Sequence, residues 1–342
     1  MQTKSLKLIN EMSWQHQLTN AITDPKEFFE RLKLPSELLP PAILASKSFA
    51  LRVPEPYLDR MEPGNIKDPL LLQVLPLLAE TQPVPGYVID PLGEESTNHQ
   101  PGIIHKYHGR VLLIISGGCA INCRYCFRRH FPYSDNQLGT EEWQQALDYL
   151  NRDHSISEVI LSGGDPLAAN DKRLNKMFQD LGAIPHLKRL RIHTRLPVVI
   201  PQRVNSALIE AIGQSNLQTV IVTHINHPNE IDTELASAIS KLKQAGVTLL
   251  NQSVLLKDIN DHSDTLAMLS EKLFEIGLLP YYLHLLDPVA GASHFNVDEN
   301  TARYLAGSLC DRLPGYLVPK LVREQAGATA KVPLMPILGK EC

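Results

Sequence analysis

The chain has 342 residues, of which 43% are hydrophobic, as expected of a globular protein with a large core. Lys and Arg number 33 against 37 Asp and Glu, so the net charge of -4 gives no electrostatic reason to expect binding to nucleic acid or to a membrane surface. No apolar stretch approaches the roughly 18 residues that span a bilayer, and the first residues lack the apolar core of a signal peptide. We therefore expect a cytoplasmic protein with a small-molecule substrate.

The first hundred residues predict a helical region that ends in a linker. Apolar residues between Trp14 and Leu32 recur at helical spacing, with a break at Asp24-Pro25. The segment 82–102 is dense in Pro, Gly and polar residues, a composition that is typical of a linker.

From residue 111 the pattern changes to short apolar runs that alternate with helical segments, which indicates a parallel α/β sheet. The predicted strands are 111–115, 158–162, 189–194, 219–225, 247–254 and 281–286. The predicted helices between them are 141–150, 171–181, 205–213, 233–245 and 265–276. Such units form either an open doubly wound sheet or an incomplete barrel, and in a barrel the loops after the strands meet at one mouth.

Three cysteines follow the first of these strands, namely Cys119, Cys123 and Cys126. Thiolates at the spacing CxxxCxxC can bind three irons of a [4Fe-4S] cluster and leave the fourth iron open to another ligand. A structural zinc ion needs four protein ligands, and the other cysteines, Cys310 and Cys342, lie far downstream. The spacing therefore favours a cluster over zinc.

Polar residues also follow the later strands, where barrel enzymes carry their chemistry. Gly163-Gly164-Asp165 follows the second strand, and a glycine pair lets the backbone approach a ligand closely, although the same residues can form a simple turn. His224 ends the fourth strand, and a lone histidine there is more often structural than a ligand. No third and fourth ligand complete a histidine-based metal site.

Taken together, these motifs resemble those of radical S-adenosylmethionine (SAM) enzymes, and in particular the lysine 2,3-aminomutase family. The matching blocks are HKYHGRVLLI, CRYCFRRH, SGGDPL, THINHPNEI, NQSVLL and YYLHLLDPVAGASHF, followed by a late Lys-Val-Pro. The resemblance implies a partial (β/α)6 TIM-like radical SAM barrel at residues 101–300, after an N-terminal helical region and linker at 1–100. A short segment at 301–342 would carry the lysine that binds pyridoxal 5′-phosphate (PLP). The implied cofactors are the [4Fe-4S] cluster, SAM and PLP.

The resemblance also implies roles for single residues. Lys331 matches the lysine that binds PLP, whereas residue type alone would make it an ordinary surface lysine. Arg128 matches the arginine that binds the substrate carboxylate. Asp287, which could locally be the start of a turn, matches an aspartate that receives the substrate ε-ammonium, and Glu324 replaces a second one. Further implied cofactor-binding residues are Lys106, Tyr107, Arg110, Gly163, Gly164, Asp165, His224 and Gln252.

The implied activity is that of an isomerase. In this family an electron from the cluster cleaves SAM, a 5′-deoxyadenosyl radical takes hydrogen from C3 of lysine, and nitrogen moves from C2 to C3. Free-standing lysine 2,3-aminomutases have a longer tail with zinc-binding cysteines, and this chain ends soon after Lys331. It is therefore similar to the shorter branch, which supplies (R)-β-lysine for the modification of elongation factor P.

The implied partners are L-lysine, elongation factor P and its ligase, and an external electron donor such as a flavodoxin or ferredoxin. One alternative is a catabolic or osmolyte-forming lysine or glutamate 2,3-aminomutase, and the acidic Asp287 argues against glutamate. Another is an iron–sulfur or zinc module that binds nucleic acid, against which the acidic net charge counts.

Overall fold

The computed structural model describes residues 13–94, 98–100, 102–133, 136 and 138–339. The N-terminal residues on which the absence of a signal peptide was predicted, and Cys342, lie outside the described residues. No helix in the described ranges is long and apolar enough to cross a membrane.

One sheet of ten strands, in chain order, organises the described part of the chain. The strands are β1 Asn98–Gln100, β2 Ile103–Tyr107, β3 Arg110–Ser116, β4 Glu158–Gly163, β5 Arg189–Thr194, β6 Gln218–His224, β7 Thr248–Val254, β8 Leu279–His284, β9 Lys320–Arg323 and β10 Val332–Pro333. Neighbours from β3 to β9 pair in parallel, while β1, β2 and β10 add antiparallel strands at the two ends.

Among the described residues, five α-helices precede the sheet, and the later ones follow its parallel strands. The α-helices are α1 Trp14–Thr19, α2 Pro25–Leu32, α3 Leu39–Ser46, α4 Glu55–Leu58, α5 Pro69–Leu72, α6 Thr140–Arg152, α7 Asp171–Gly182, α8 Leu196–Val199, α9 Ser206–Gly213, α10 Thr233–Gln244, α11 Ser263–Ile276 and α12 Glu299–Arg312. Short 3-10 turns lie at Ser36–Leu38, Leu78–Thr81, Pro166–Ala168, Pro201–Arg203, Pro228–Glu230, Ser293–Phe295 and Gly315–Leu317.

The predicted partial (β/α)6 barrel is confirmed. All six predicted strands are present, from β3 to β8, and a helix follows each of them before the next parallel strand begins. The short strands β1, β2, β9 and β10 and the helix α12 were not predicted. The break in the first helical region is also confirmed, because α2 begins at Pro25 and the Asp24 side chain accepts a hydrogen bond from the Lys26 N–H.

The buried side chains of the N-terminal helices share one core with those of the strands β3 to β7. Phe28 and Tyr57 from the N-terminal region belong to the same buried cluster as Leu113 of β3 and Ile192 of β5. The strand β4 is buried at every position, which explains its continuous apolar run in the sequence. The N-terminal helices therefore help to fix the loops that follow the strands.

Candidate active site

A cavity of about 400 Å³ opens at the carboxyl ends of the parallel strands. It is lined by every residue that the sequence assigned to a cofactor or to the substrate: Cys119, Cys123, Cys126, Lys106, Tyr107, Arg110, Arg128, Gly163, Gly164, Asp165, His224, Gln252, Asp287, Glu324 and Lys331. These residues are spread over 226 positions of sequence, from 106 to 331, and the barrel brings them to one mouth.

The loop that carries the cysteines is fastened to the loop after β4. The Gly164 N–H donates to the Ser116 carbonyl at 2.7 Å, and the Asp165 N–H donates to the Gly118 carbonyl at 2.8 Å. A Cβ atom at position 164 would lie 2.4 Å from the Gly118 oxygen, so only glycine fits there. The glycine pair therefore allows two backbones to meet, a role that the sequence analysis did not foresee.

The Asp165 carboxylate also makes hydrogen bonds to the end of the next strand, β5, and to the residue that follows it. It accepts hydrogen bonds from the Thr194 hydroxyl at 2.7 Å and from the Arg195 backbone N–H at 2.8 Å. The loops after β3, β4 and β5 thus form one hydrogen-bonded unit.

The three thiols of the cysteine loop line the cavity and are partly exposed. Among the described residues, no three His, Cys, Asp or Glu side chains meet closely enough to hold a single metal ion. The thiols of a [4Fe-4S] cluster bind three different irons, so they do not have to converge on one point. Burial, with the nearby Cys123, raises the pKa of Cys126 to about 11, and a bound iron would displace that proton. The donor set and its position therefore fit a cluster.

Arg195 is a residue of this site that the sequence analysis did not single out. It follows β5, is 7% exposed, and one of its terminal nitrogens lies 2.7 Å from the Cys123 Sγ and 2.8 Å from the Tyr125 hydroxyl. The other nitrogen donates to the Glu230 carboxylate at 2.8 Å. The one feature of the sequence that could have indicated Arg195 is that it is a polar residue directly after a predicted strand.

His224 lies beside this arginine. Its Nε2 is 2.9 Å from the Tyr125 hydroxyl, and the two rings stack with centroids 5.6 Å apart. Burial and the neighbouring Arg195 cation lower the pKa of His224 to about 3, so the imidazole is neutral near pH 7. Two other buried imidazoles on the cavity wall, His193 and His284, each have an Nε2 without a hydrogen-bond partner among the described residues.

A second group joins the cysteine loop to the N-terminal region. The Glu80 side chain has no exposed surface and pairs with Arg124 at 2.5 Å and with Arg129 at 2.7 Å. Both arginines lie in or next to the cysteine motif, so this one carboxylate joins the motif to the N-terminal region.

Arg128 is held in a bidentate pair by a residue that sequence reasoning missed. Its Nε and one terminal nitrogen donate to the two Glu94 oxygens at 2.7 and 2.8 Å. Burial alone would raise the pKa of Glu94, but the Arg128 guanidinium holds it below its usual value. Lys106 lies 3.5 Å from the same carboxylate. Glu94 stands in the Pro- and Gly-rich linker, where nothing in the sequence marked it.

The far end of the cavity carries two carboxyl groups and an amine. Lys331 forms an ion pair with Glu324, and its Nζ lies 5.7 Å from the centre of the Tyr282 ring. No donor within the described ranges makes a hydrogen bond to the Asp287 carboxyl group. Burial and the nearby Glu324 raise the pKa of Asp287 to about 7. This end can therefore receive a cation.

Comparisons with known proteins give the following similarities. Residues 113–269 match the Radical SAM superfamily. The chain is 52% identical to the L-lysine 2,3-aminomutase of Escherichia coli (strain K12), over 94% of each protein. It is 53% identical to that of Haemophilus influenzae, over 94% of this chain and 95% of the relative. It is 34% identical to that of Clostridium subterminale, over 94% of this chain and 78% of the relative. A solved radical SAM methyltransferase from Sphaerobacter thermophilus superposes with a TM-score of 0.47 and 15% identity, over 66% of this chain and 69% of that one.

Proposed function

Because this chain belongs to the radical SAM lysine 2,3-aminomutase family, we propose that it converts L-lysine to (R)-β-lysine with a [4Fe-4S] cluster, SAM and PLP. The observation that carries this proposal is the layout of the cavity. Three thiols line it together with an amine, Lys331, and two carboxyl groups, those of Asp287 and Glu324. As a member of this family the protein is an isomerase.

The residues of the cavity fit the three cofactors. Cys119, Cys123 and Cys126 would hold the cluster, and the loop Gly163 to Asp165 with His224 and Gln252 would line the SAM site. When bound, the cluster and SAM supply a carbon-centred radical, and PLP supplies a conjugated system through which nitrogen can migrate.

Lys331 is the residue that we propose binds PLP covalently. A lysine must lose its ammonium proton before it can act as a nucleophile, and its ion pair with Glu324, which favours the ammonium form, would have to be released first. Lys106 and Arg110 supply positive charge for a phosphate group, and Tyr107 supplies an aromatic face.

The charges of the cavity fit lysine better than glutamate. Glu94 holds the Nε and one terminal nitrogen of Arg128, so the other terminal nitrogen is the one that would bind the substrate carboxylate. Asp287 presents a carboxyl group that no side chain neutralises by contact among the described residues. A substrate ammonium would be attracted there, whereas a second carboxylate would be repelled. The protein thus orients lysine by its two ends and keeps water from the reacting carbons.

The test is conversion of free L-lysine by the anaerobically reconstituted protein with SAM, PLP and a reductant. Lysine and β-lysine have the same mass, so the product must be separated by chiral chromatography and compared with authentic standards. We expect (R)-β-lysine, with no product from L-glutamate and none from Cys123→Ala. Recovery of unchanged lysine by wild-type protein that carries a cluster and cleaves SAM would contradict the proposal.

The proposed destination of the product is elongation factor P. In support, the chain is 52% and 53% identical to the Escherichia coli and Haemophilus influenzae relatives but 34% identical to the clostridial one. It is therefore more similar to the first two than to the clostridial enzyme. Deletion of the gene should abolish β-lysylation of elongation factor P, detected by the intact mass of that factor, and added β-lysine should restore it. A deletion strain with fully modified factor would refute this destination.

A further inference from the structure

Arg195 divides its guanidinium group between a cysteine sulfur and a buried acid. One terminal nitrogen faces the Cys123 Sγ at 2.7 Å, and the other donates to the Glu230 carboxylate at 2.8 Å and to the Gln73 side-chain oxygen at 2.6 Å. Glu230 has no exposed surface and Arg195 is 7% exposed. The guanidinium side of the contact is therefore shielded from solvent, while the Cys123 thiol lines the cavity.

We propose that the Arg195–Glu230 pair sets the one-electron reduction potential of the cluster that Cys123 helps to hold. This inference rests on the proposed function, because it needs the cluster. Arg195 acts through Cys123 and is therefore a positioning and tuning residue rather than a catalytic one.

The physical reason is that reduction adds a negative charge to the cluster and its thiolates. A hydrogen bond to a ligating sulfur, and a positive charge beside it, stabilise the reduced form more than the oxidised form. Burial strengthens this effect because the local dielectric constant is low. Arg195 should therefore make the cluster easier to reduce, and Glu230 should moderate this effect by neutralising part of the charge.

Other arginines surround the cysteine loop but are engaged elsewhere. Arg124 and Arg129 pair with Glu80, and Arg128 pairs with Glu94. Within the part of the chain that the structure describes, none of their guanidinium groups donates to a cysteine sulfur. Arg195 is distinguished from them by this contact.

The experiment is a potentiometric titration of the reconstituted cluster in the absence of SAM, followed by electron paramagnetic resonance. The first variant, Arg195→Lys, keeps the charge for Glu230, but one ammonium group cannot reach both the acid and the sulfur. The second, Arg195→Met with Glu230→Gln, removes both buried charges, a change that many proteins tolerate. The side-chain amide oxygen introduced by Glu230→Gln can still accept the Asn226 N–H that the Glu230 carboxylate accepts at 2.9 Å.

The control variant is Tyr57→Phe. The Tyr57 hydroxyl accepts a hydrogen bond at 3.1 Å from the Arg195 nitrogen that faces Glu230. Its removal perturbs the same buried network without changing a charge or the contact with Cys123. This variant should bind a cluster with the potential of the wild-type protein.

We expect both Arg195 variants to lower the ratio of reduced to oxidised cluster at a fixed applied potential, by about tenfold in the double variant. For a one-electron couple this is a shift of about 59 mV to more negative potential. An unchanged potential in a variant that binds the cluster would overturn the inference. So would loss of the cluster from both Arg195 variants while Tyr57→Phe retains it, because Arg195 would then be needed for assembly. Wild-type protein that binds no four-iron cluster would instead refute the proposed function.

Discussion

The proposed contact of Asp287 with the substrate ammonium would make substrate binding depend on pH. Burial raises the pKa of this carboxyl to about 7, so without substrate it is protonated below that pH and charged above it. Only the charged form attracts the ε-ammonium of lysine. Binding of the cation therefore favours loss of the proton, and the affinity for lysine should fall as the pH falls.

We predict that KM for lysine rises by up to about tenfold per pH unit below pH 7 and is constant well above it. In Asp287→Asn the KM should be raised at pH 8 and should lose this pH dependence. Lysine titrations of initial rate between pH 6 and 8.5 would measure both, with PLP binding as the control for an intact cavity. Equal pH profiles in the two proteins would show that another group is responsible.

Lys331 and Lys320 lie in the same terminal part of the chain, but only Lys331 lines the cavity. After incubation with PLP and reduction with borohydride, the pyridoxyl group should appear on the peptide that contains Lys331. Lys331→Arg should lose the label and Lys320→Arg should keep it, as judged by peptide mass mapping. A label on Lys320 in the wild-type protein would contradict the assignment.

The site residues that the sequence predicted and those that it did not differ in how far away in sequence their partners lie. The cysteines belong to a contiguous motif whose spacing indicates its chemistry, whereas Lys331 was assigned by resemblance to a family. Glu94 and Glu230 act through partners 34 and 35 positions away, Arg128 and Arg195 respectively. Such pairs are made by the fold, and no local pattern marks them.

At the scale of elements, the backbone contact between the cysteine loop and the loop after β4 requires glycine at position 164. Gly164→Ala would place a methyl group 2.4 Å from the Gly118 oxygen, so one of the two backbones must move. We predict that this variant binds less iron on reconstitution and unfolds at a lower temperature.

The matched control is Gly213→Ala, because a Cβ there meets nothing within 4 Å and the residue ends the helix α9. Alanine is the better helix former, so the iron content should be unchanged and the stability equal or slightly higher. Iron assays and thermal unfolding of both variants make the comparison. Full iron loading of Gly164→Ala would show that the loops can separate without harm to the site.

The strands β3 to β8 were predicted from the sequence and the short strands were not, because prediction depends on burial and length. The strand β4 is buried at every position, so its apolar run stands out. The strands β9 and β10 have four and two residues, too few to show an alternation. The helix α12 follows the last predicted strand, in the segment that resemblance marked only as the carrier of Lys331.

At the scale of the whole molecule, Glu80 ties the N-terminal region to the barrel through Arg124 and Arg129. Glu80→Gln would leave two buried guanidinium groups without their counter-charge, and breaking a buried pair in this way costs about 3–5 kcal/mol. We predict a loss of this size in the free energy of unfolding of the cofactor-free protein, measured with denaturant.

An exposed ion pair gives the control. Arg31 and Glu55 are 2.6 Å apart with side chains 41% and 35% exposed, and such pairs contribute about 0–1 kcal/mol. Glu55→Gln should therefore change the free energy of unfolding little. Similar losses in the two variants would mean that Glu80 does not hold the two parts together.

The open sheet also has a consequence for self-association. Its edge strand β10 pairs Pro333 with Val322, and the next residue, Leu334, donates its N–H to the Leu321 carbonyl at 2.9 Å. Successive residues of a strand point their N–H groups to opposite sides, so the nitrogen of Pro333 faces away from the sheet. Proline has no N–H group, and this outer position therefore lacks a donor. A strand of another molecule would find no donor there, and proline at an edge is a known protection against such pairing. The proline that follows Lys331 by two positions thus leaves the outer edge of β10 without a donor at its own position.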